Sequence, residues 1–239
     1  MSDEEDLKER ISGVIKEKDS EAALELLIDD DAHHISKNDR NRLLMLAIKD
    51  AYVAPHYVKI VGLLSGDAVK KLSEELGKYG EPDVLLEVLE DTEYRQHHNV
   101  IVSAAIANKK IGIAQLYVAA INTVSNEVKE ALNTALGRDV NVSNEDLISI
   151  LGDAQFATHR TAILKHVEVR MDATNLHAFL EDARSILSAE EVTRLEQAME
   201  RKKKHAHEDA HEETSSPGGL GLFMLIFGLL LLFTISSTP

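Results

Sequence analysis

The sequence predicts an all-α fold: an α-solenoid of about six short helix pairs with a period near 30 residues, plus a C-terminal transmembrane helix. Three observations predict it. Apolar residues recur at i, i+3 and i+4 through most of residues 3–204, which is helical and not strand periodicity. Corresponding positions return at a nearly constant interval, as in stacked helix-pair repeats. One wholly uncharged apolar run, LGLFMLIFGLLLLFTI, occupies residues 220–235.

The elements follow in order. Residues 11–15 and 22–27 form a first pair, joined to the next by the acidic loop 29–39. Leu43, Leu44, Leu46, Ala47 and Ile48 mark one helix, Pro55 breaks it, and Val58, Ile60, Val61, Leu63 and Leu64 mark its partner. Leu72 and Leu76 precede a break at Gly80-Glu81-Pro82, after which Val84, Leu85, Leu86, Val88 and Leu89 continue. The pattern recurs as 101–106 with 113–121, 128–136 with 147–151, and 163–167 with 176–180. First-helix positions Ile48, Leu76, Ile106, Leu136 and His166 are separated by 28, 30, 30 and 30 residues. Second-helix positions Leu64, Leu89, Ile121, Leu151 and Leu180 are separated by 25, 32, 30 and 29. The alternative is an irregular bundle whose helices fall at even intervals.

Helix starts are signalled locally. Ser125-Asn126-Glu127 and Ser143-Asn144-Glu145-Asp146 each place a cap and acids where the N-terminal dipole favours them. Ser188-Ala189-Glu190-Glu191 is a capping box opening a last, polar helix that would seal the stack. The expected organisation is therefore a repeat domain over 1–187, a capping helix over 188–204, a charged His-rich linker over 205–219 and an anchor over 220–235.

Composition narrows the function. The absence of cysteine removes disulfides, thiol catalysis and Cys-ligated zinc. A net charge of −15 argues against nucleic acid as a partner, and 44% apolar residues are enough for a folded core. The run from Leu220 to Ile235 has sixteen residues, about 24 Å as a helix and about 30 Å with its small flanking residues. The lipid bilayer is thus an expected partner, through that run. Arg201-Lys202-Lys203-Lys204 precedes it and no base follows, which places the N-terminal domain in the cytosol. Only four residues follow the run, so insertion is expected after translation. This end resembles tail-anchored, single-pass membrane proteins.

Two stretches resemble ankyrin repeats. Leu43-Leu44-Met45-Leu46-Ala47-Ile48-Lys49 resembles the first helix of that repeat and Val58-Lys59-Ile60-Val61-Gly62-Leu63-Leu64 the second; Ser103-Ala104-Ala105-Ile106-Ala107-Asn108 and Ile113-Ala114-Gln115-Leu116 echo them. No unit carries Thr-Pro-Leu-His, and Gly137-Arg138-Asp139-Val140-Asn141 only partly matches the Gly-Ala-Asp-Val-Asn turn and lies between helices. The resemblance implies a degenerate ankyrin-like repeat with reduced projecting turns. A helical domain of about 200 residues before an apolar anchor is also similar to Bcl-2-type regulators, although their Asn-Trp-Gly-Arg stretch is lacking.

One motif suggests chemistry. His207-Glu208-Asp209-Ala210-His211 matches H-E-x-x-H, in which two His on one helical face hold zinc and the Glu activates water. Its surroundings are Lys, Glu, Asp and Ser where a buried active-site wall is needed, and no third ligand is evident. A tethered zinc metalloprotease is therefore the alternative; a solvated linker is the expectation, and no cofactor is expected. His33-His34 and His97-His98 are expected in or next to connections, exposed or partly packed at a helix end, and His166 as a core histidine. The expectation for the whole is a non-catalytic, membrane-anchored scaffold that binds another protein. Tyr52, Tyr79, Tyr94, Arg95 and Arg138 are its candidate contacts, because aromatics and Arg dominate interface centres.

Overall fold

The computed structural model describes residues 3–109 and 111–215. They contain thirteen α-helices and four short 3-10 turns, with no strand among the described residues. The chain divides into two compact units, Met1–Val167 and Glu168–Pro239.

The first unit opens with α1 (Asp3–Glu17) and α2 (Ser20–Ile28). Lys18 turns the chain between them with a left-handed φ of 59°, and Asp19 caps α2 by accepting from the Ala22 amide at 3.0 Å. After the 3-10 turn Asp30–His34 come α3 (Lys37–Ala47), the 3-10 turn Ala54–His56, and α4 (Tyr57–Val61). Next are α5 (Asp67–Tyr79), α6 (Pro82–Glu90), the 3-10 turn Thr92–His97 and α7 (His98–Asn108). Then come α8 (Ile113–Ala120), α9 (Asn126–Arg138), α10 (Asn144–Gly152), the 3-10 turn Ala154–His159 and α11 (Arg160–Arg170). The cap expected at Ser143 forms, its Oγ accepting from the Asp146 amide at 3.0 Å; Ser36, not among the caps expected from sequence, caps α3 in the same way, accepting from the Asp39 amide at 3.1 Å. Ser125 begins α9 without a side-chain cap bond.

Alternate helices touch. α1 meets α3, α3 meets α5, α5 meets α7 and α7 meets α9, while α2 meets α4, α6 meets α8 and α8 meets α10. The first unit is thus two rows of helices, with each consecutive pair contributing one helix to each row. Leucines such as Leu43, Leu44, Leu72, Leu76, Leu132, Leu136, Leu147 and Leu151 are fully buried between the rows. This burial is the driving force, since helices this short are marginal alone.

Matching features recur at a spacing of about sixty residues, twice the interval read from periodicity. Tyr57 and Tyr117, sixty residues apart, are both fully buried, and each bonds a polar residue sixteen positions on: Ser73 at 3.2 Å and Asn133 at 3.0 Å. Asp91 and Asp153 cap equivalent 3-10 turns, accepting from Glu93 and Gln155 amides at 2.8 and 2.9 Å. Tyr94 packs edge-on against Tyr57 and Phe156 against Tyr117, with ring centroids 5.9 and 5.6 Å apart. Gly77 in α5 and Gly137 in α9 share the closest approach. A Cβ on Gly77 would lie 2.2 Å from the Ile101 carbonyl oxygen and 2.7 Å from the Ala104 Cβ; on Gly137 it would lie 2.9 Å from the Ile163 carbonyl oxygen and 2.4 Å from the His166 Cβ. Only glycine lets α5 approach α7, and α9 approach α11, so closely. These matches align α5 with α9 and α7 with α11.

The second unit holds the end of α11, then α12 (Ala173–Ala183) and α13 (Ala189–Ser215), which pack on each other. Asp172 caps α12, accepting from Asn175 at 2.8 Å, and the Ser188–Glu191 capping box forms as expected. Glu168 receives Arg194 (2.9 and 3.0 Å) and Arg201 (3.1 Å), fastening α13 to the last turn of α11. α13 runs on to Ser215, so the first part of the expected linker 205–219 is helical: its two Ala and three Glu favour helix, and no Gly or Pro stands between 205 and 216. The apolar run 220–235 lies outside the described residues. Among those described, no helix is long and apolar enough to cross a membrane.

Candidate functional site

Two clefts of the first unit occupy equivalent places in these matching stretches. The first, about 310 Å³, lies between the end of α3, the loop after it and the end of α5; Ile48, Lys49, Tyr52, Glu75 and Tyr79 line it. The second, also about 310 Å³, lies between the end of α7, the start of α8 and the end of α9; Ile106, Lys109, Ile111, Ala114, Ala135 and Arg138 line it. Their correspondence is carried by matching bonds. Asn41 in α3 accepts from the Ser65 amide at 3.2 Å, and Asn99 in α7 accepts from the Ser125 amide at 2.8 Å. Ile48 thus corresponds to Ile106, Glu75 to Ala135, Lys78 to Arg138 and Tyr79 to Asp139.

The clefts exist because α3 and α7 stop short of the helices they pack against. α7 ends at Lys109, which adopts a left-handed φ of 57° and turns the chain toward α8. α3 ends before Tyr52, whose hydroxyl donates to the Tyr79 carbonyl at 2.7 Å, with Glu81 Oε1 at 3.1 Å. Burial of the ring, then the Glu81 carboxylate, pushes the Tyr52 phenol above its ordinary range.

The five residues predicted from sequence fall into three places. Tyr52 and Tyr79 come together at the first cleft and remain 45% and 48% exposed, so both offer ring surface to a partner. Arg138 is exposed and lines the second cleft. Tyr94 and Arg95 belong to neither: they sit in the 3-10 turn Thr92–His97, where the half-buried Tyr94 ring covers Tyr57 and Arg95 is exposed. Lys109 and Ile106 belong to the second cleft but carried no sequence signal, because their place depends on where α7 stops against α9.

The histidines depart from expectation in part. His33 and His34 are exposed, with ring centroids 3.8 Å apart. His98, expected to be exposed or partly packed at a helix end, opens α7 and is 1% exposed. Its Nε2–H donates to the Val88 carbonyl at 3.1 Å and its Nδ1 lies 2.8 Å from Thr123 Oγ1. Burial holds its pKa below the ordinary imidazole range, against the pull of nearby backbone carbonyls. The reason is positional: Arg40 and Arg160 occupy the corresponding sites on α3 and α11, and all three donate to carbonyls that end a preceding segment, Ala32 for Arg40 and Leu151 for Arg160. His166, expected in the core, is half-buried, with Nε2 3.2 Å from Thr134 Oγ1.

The H-E-x-x-H motif falls within α13, but the side chains of His207, Glu208 and His211 lie outside the described residues. Among described residues, no three His, Asp or Glu side chains cluster to hold a metal ion. In the basic run, Arg201 bonds Glu168, Lys203 bonds Glu200 at 2.9 Å, and Lys202 reaches the Val169 carbonyl at 3.5 Å. No protein-family profile matches this chain, and neither a characterised protein nor a solved structure shows significant similarity to it.

Proposed function

We propose that this protein is a non-catalytic, membrane-attached scaffold: a solenoid of stacked helix pairs that binds another protein in the clefts between successive pairs. One observation carries the reading. The same cleft recurs in the two matching stretches, and its rim presents exposed Tyr52 and Tyr79 in one copy and Arg138 in the other. Tyrosine and arginine give large contact area at low entropic cost, so residues of this kind concentrate binding energy. The uncharged sequence of residues 220–235 supports attachment to a bilayer, and the basic cluster on its N-terminal side supports a cytosolic repeat domain. Attachment would raise the effective concentration of the clefts for partners on the same membrane.

The test is proximity labelling from the full chain, from a chain lacking 220–235, and from Tyr52→Ala/Tyr79→Ala. The expected result is a set of neighbours on one membrane that disperses without 220–235 and thins with the tyrosine double variant. A neighbour set indifferent to both changes overturns the reading, as does release of the full chain from vesicles by alkaline carbonate.

A further inference from the structure

The two clefts are built alike and charged differently. Beside the first cleft, which Lys49 also lines, Glu75 holds Lys78 one turn on, Oε1 to Nζ at 3.6 Å. In the second, Ala135 stands in place of Glu75 and Arg138 in place of Lys78. The carboxylate that would mask the cation has been replaced by a methyl group, and Arg138 has no ion-pair partner among the described residues. Lys109, the second cation lining this cleft, is likewise exposed and unpaired among them.

The acids of the same cleft are already engaged. Asp139 Oδ1 accepts from the Asn141 backbone and side-chain nitrogens at 2.9 and 3.0 Å, and Asp146 Oδ2 accepts from the Ser143 hydroxyl at 2.7 Å. The half-buried Ile106, Ala114 and Ala135 supply aliphatic surface beside the cations. We infer that this cleft receives a partner segment in which a carboxylate stands beside an aliphatic side chain, with Arg138 and Lys109 taking the carboxylate. The inference rests on the scaffold reading and names the partner's chemistry. A net charge of −15 opposes an acidic segment over most of the surface, so the unmasked pair also selects where it docks. Arg138 suits the role because its planar fork meets a carboxylate through two donors.

The experiment is fluorescence polarisation on the full chain in detergent micelles, with a labelled peptide of alternating Glu and Leu and the same peptide carrying Gln for each Glu. The Glu peptide is expected to bind at least about five-fold more tightly, as a charge-assisted bidentate contact requires. Arg138→Gln at the exposed rim, and Ala135→Glu, which rebuilds the Glu75–Lys78 pair in the second cleft, should each remove that advantage. Lys78→Gln, beside the other cleft, should keep it. Equal affinity for both peptides, no binding of either up to about 1 mM, or an unchanged advantage in both Arg138→Gln and Ala135→Glu overturns the inference. Proximity labelling with Ala135→Glu separates the two readings. Loss of a subset of neighbours supports this one, whereas a full set of neighbours retained by Ala135→Glu leaves the scaffold standing and removes only the acidic segment.

Discussion

Two glycines in helices of this protein should respond to alanine with opposite signs. By intrinsic propensity, Gly→Ala within a helix stabilises by about 1 kcal/mol. At Gly13 in α1 nothing lies within 4 Å of a new Cβ, so Gly13→Ala should realise about 0.5–1 kcal/mol. At Gly77 the same Cβ would stand 2.2 Å from the Ile101 carbonyl oxygen, which is backbone and cannot rotate aside. Relief requires α5 and α7 to separate by about 1 Å, which costs about 3 kcal/mol in overpacking strain and lost dispersion contacts along the pair. After the propensity gain, the net loss is about 2 kcal/mol, or about 4–8 °C in Tm for a chain of this size. The assay is thermal and urea unfolding followed by helical circular dichroism on both variants. Equal or greater stability of Gly77→Ala would show that the α5–α7 spacing is not set by this glycine.

Other outcomes follow from the same structure. Ser73 donates to the Val69 carbonyl at 2.9 Å, so the Tyr57 phenol donates to Ser73; burial accordingly pushes the Tyr57 phenol up to about 12. In the equivalent pair, Tyr117→Phe strands the Asn133 carbonyl oxygen and should cost about 1–3 kcal/mol in urea unfolding, with Tyr117→Phe/Asn133→Leu recovering most of it; a double variant no better than the single one contradicts this. His97, His98, His159 and His166 are each held below the ordinary imidazole range, chiefly by burial. The unfolded chain therefore takes up protons first, so their contribution is fully present above about pH 6.5 and is lost as pH falls through the lower folded pKa values. A urea midpoint that stays flat from pH 7.5 to 5 would refute this assignment.

The helices were legible because their signals are local. Leu72 and Leu76 lie one turn apart, Pro55 and Pro82 mark breaks, and Ser143 and Ser188 announce helix starts within three residues of the groups they bond. The sixty-residue recurrence was not legible from helix spacing. The matching stretches share few identities, and those that matter, Tyr57 with Tyr117 and Gly77 with Gly137, become meaningful only when their partners are known. His98 shows the same limit: a polar residue beside another histidine reads as exposed or partly packed, yet the Val88 carbonyl and Thr123 hydroxyl satisfy it inside. Of the candidate contacts, Tyr52 and Tyr79 were found separately, twenty-seven residues apart, and only folding joins the hydroxyl of one to the carbonyl of the other. Arg138 was found as an exposed arginine; that its masking acid is missing required the equivalence with Lys78.

By itself the sequence determined that the described chain is helical, where most of its helices start and stop, and which face of each is apolar. These depend on interactions within one or two turns, and so are written in neighbouring residues. Only the tertiary structure decided that alternate helices pair into two rows, that matching contacts recur about sixty residues apart, and that Arg138 lacks the masking acid that Lys78 has. These depend on groups brought together from 24 to 39 positions apart, where shape and satisfied hydrogen bonds choose among the many packings that one apolar pattern permits.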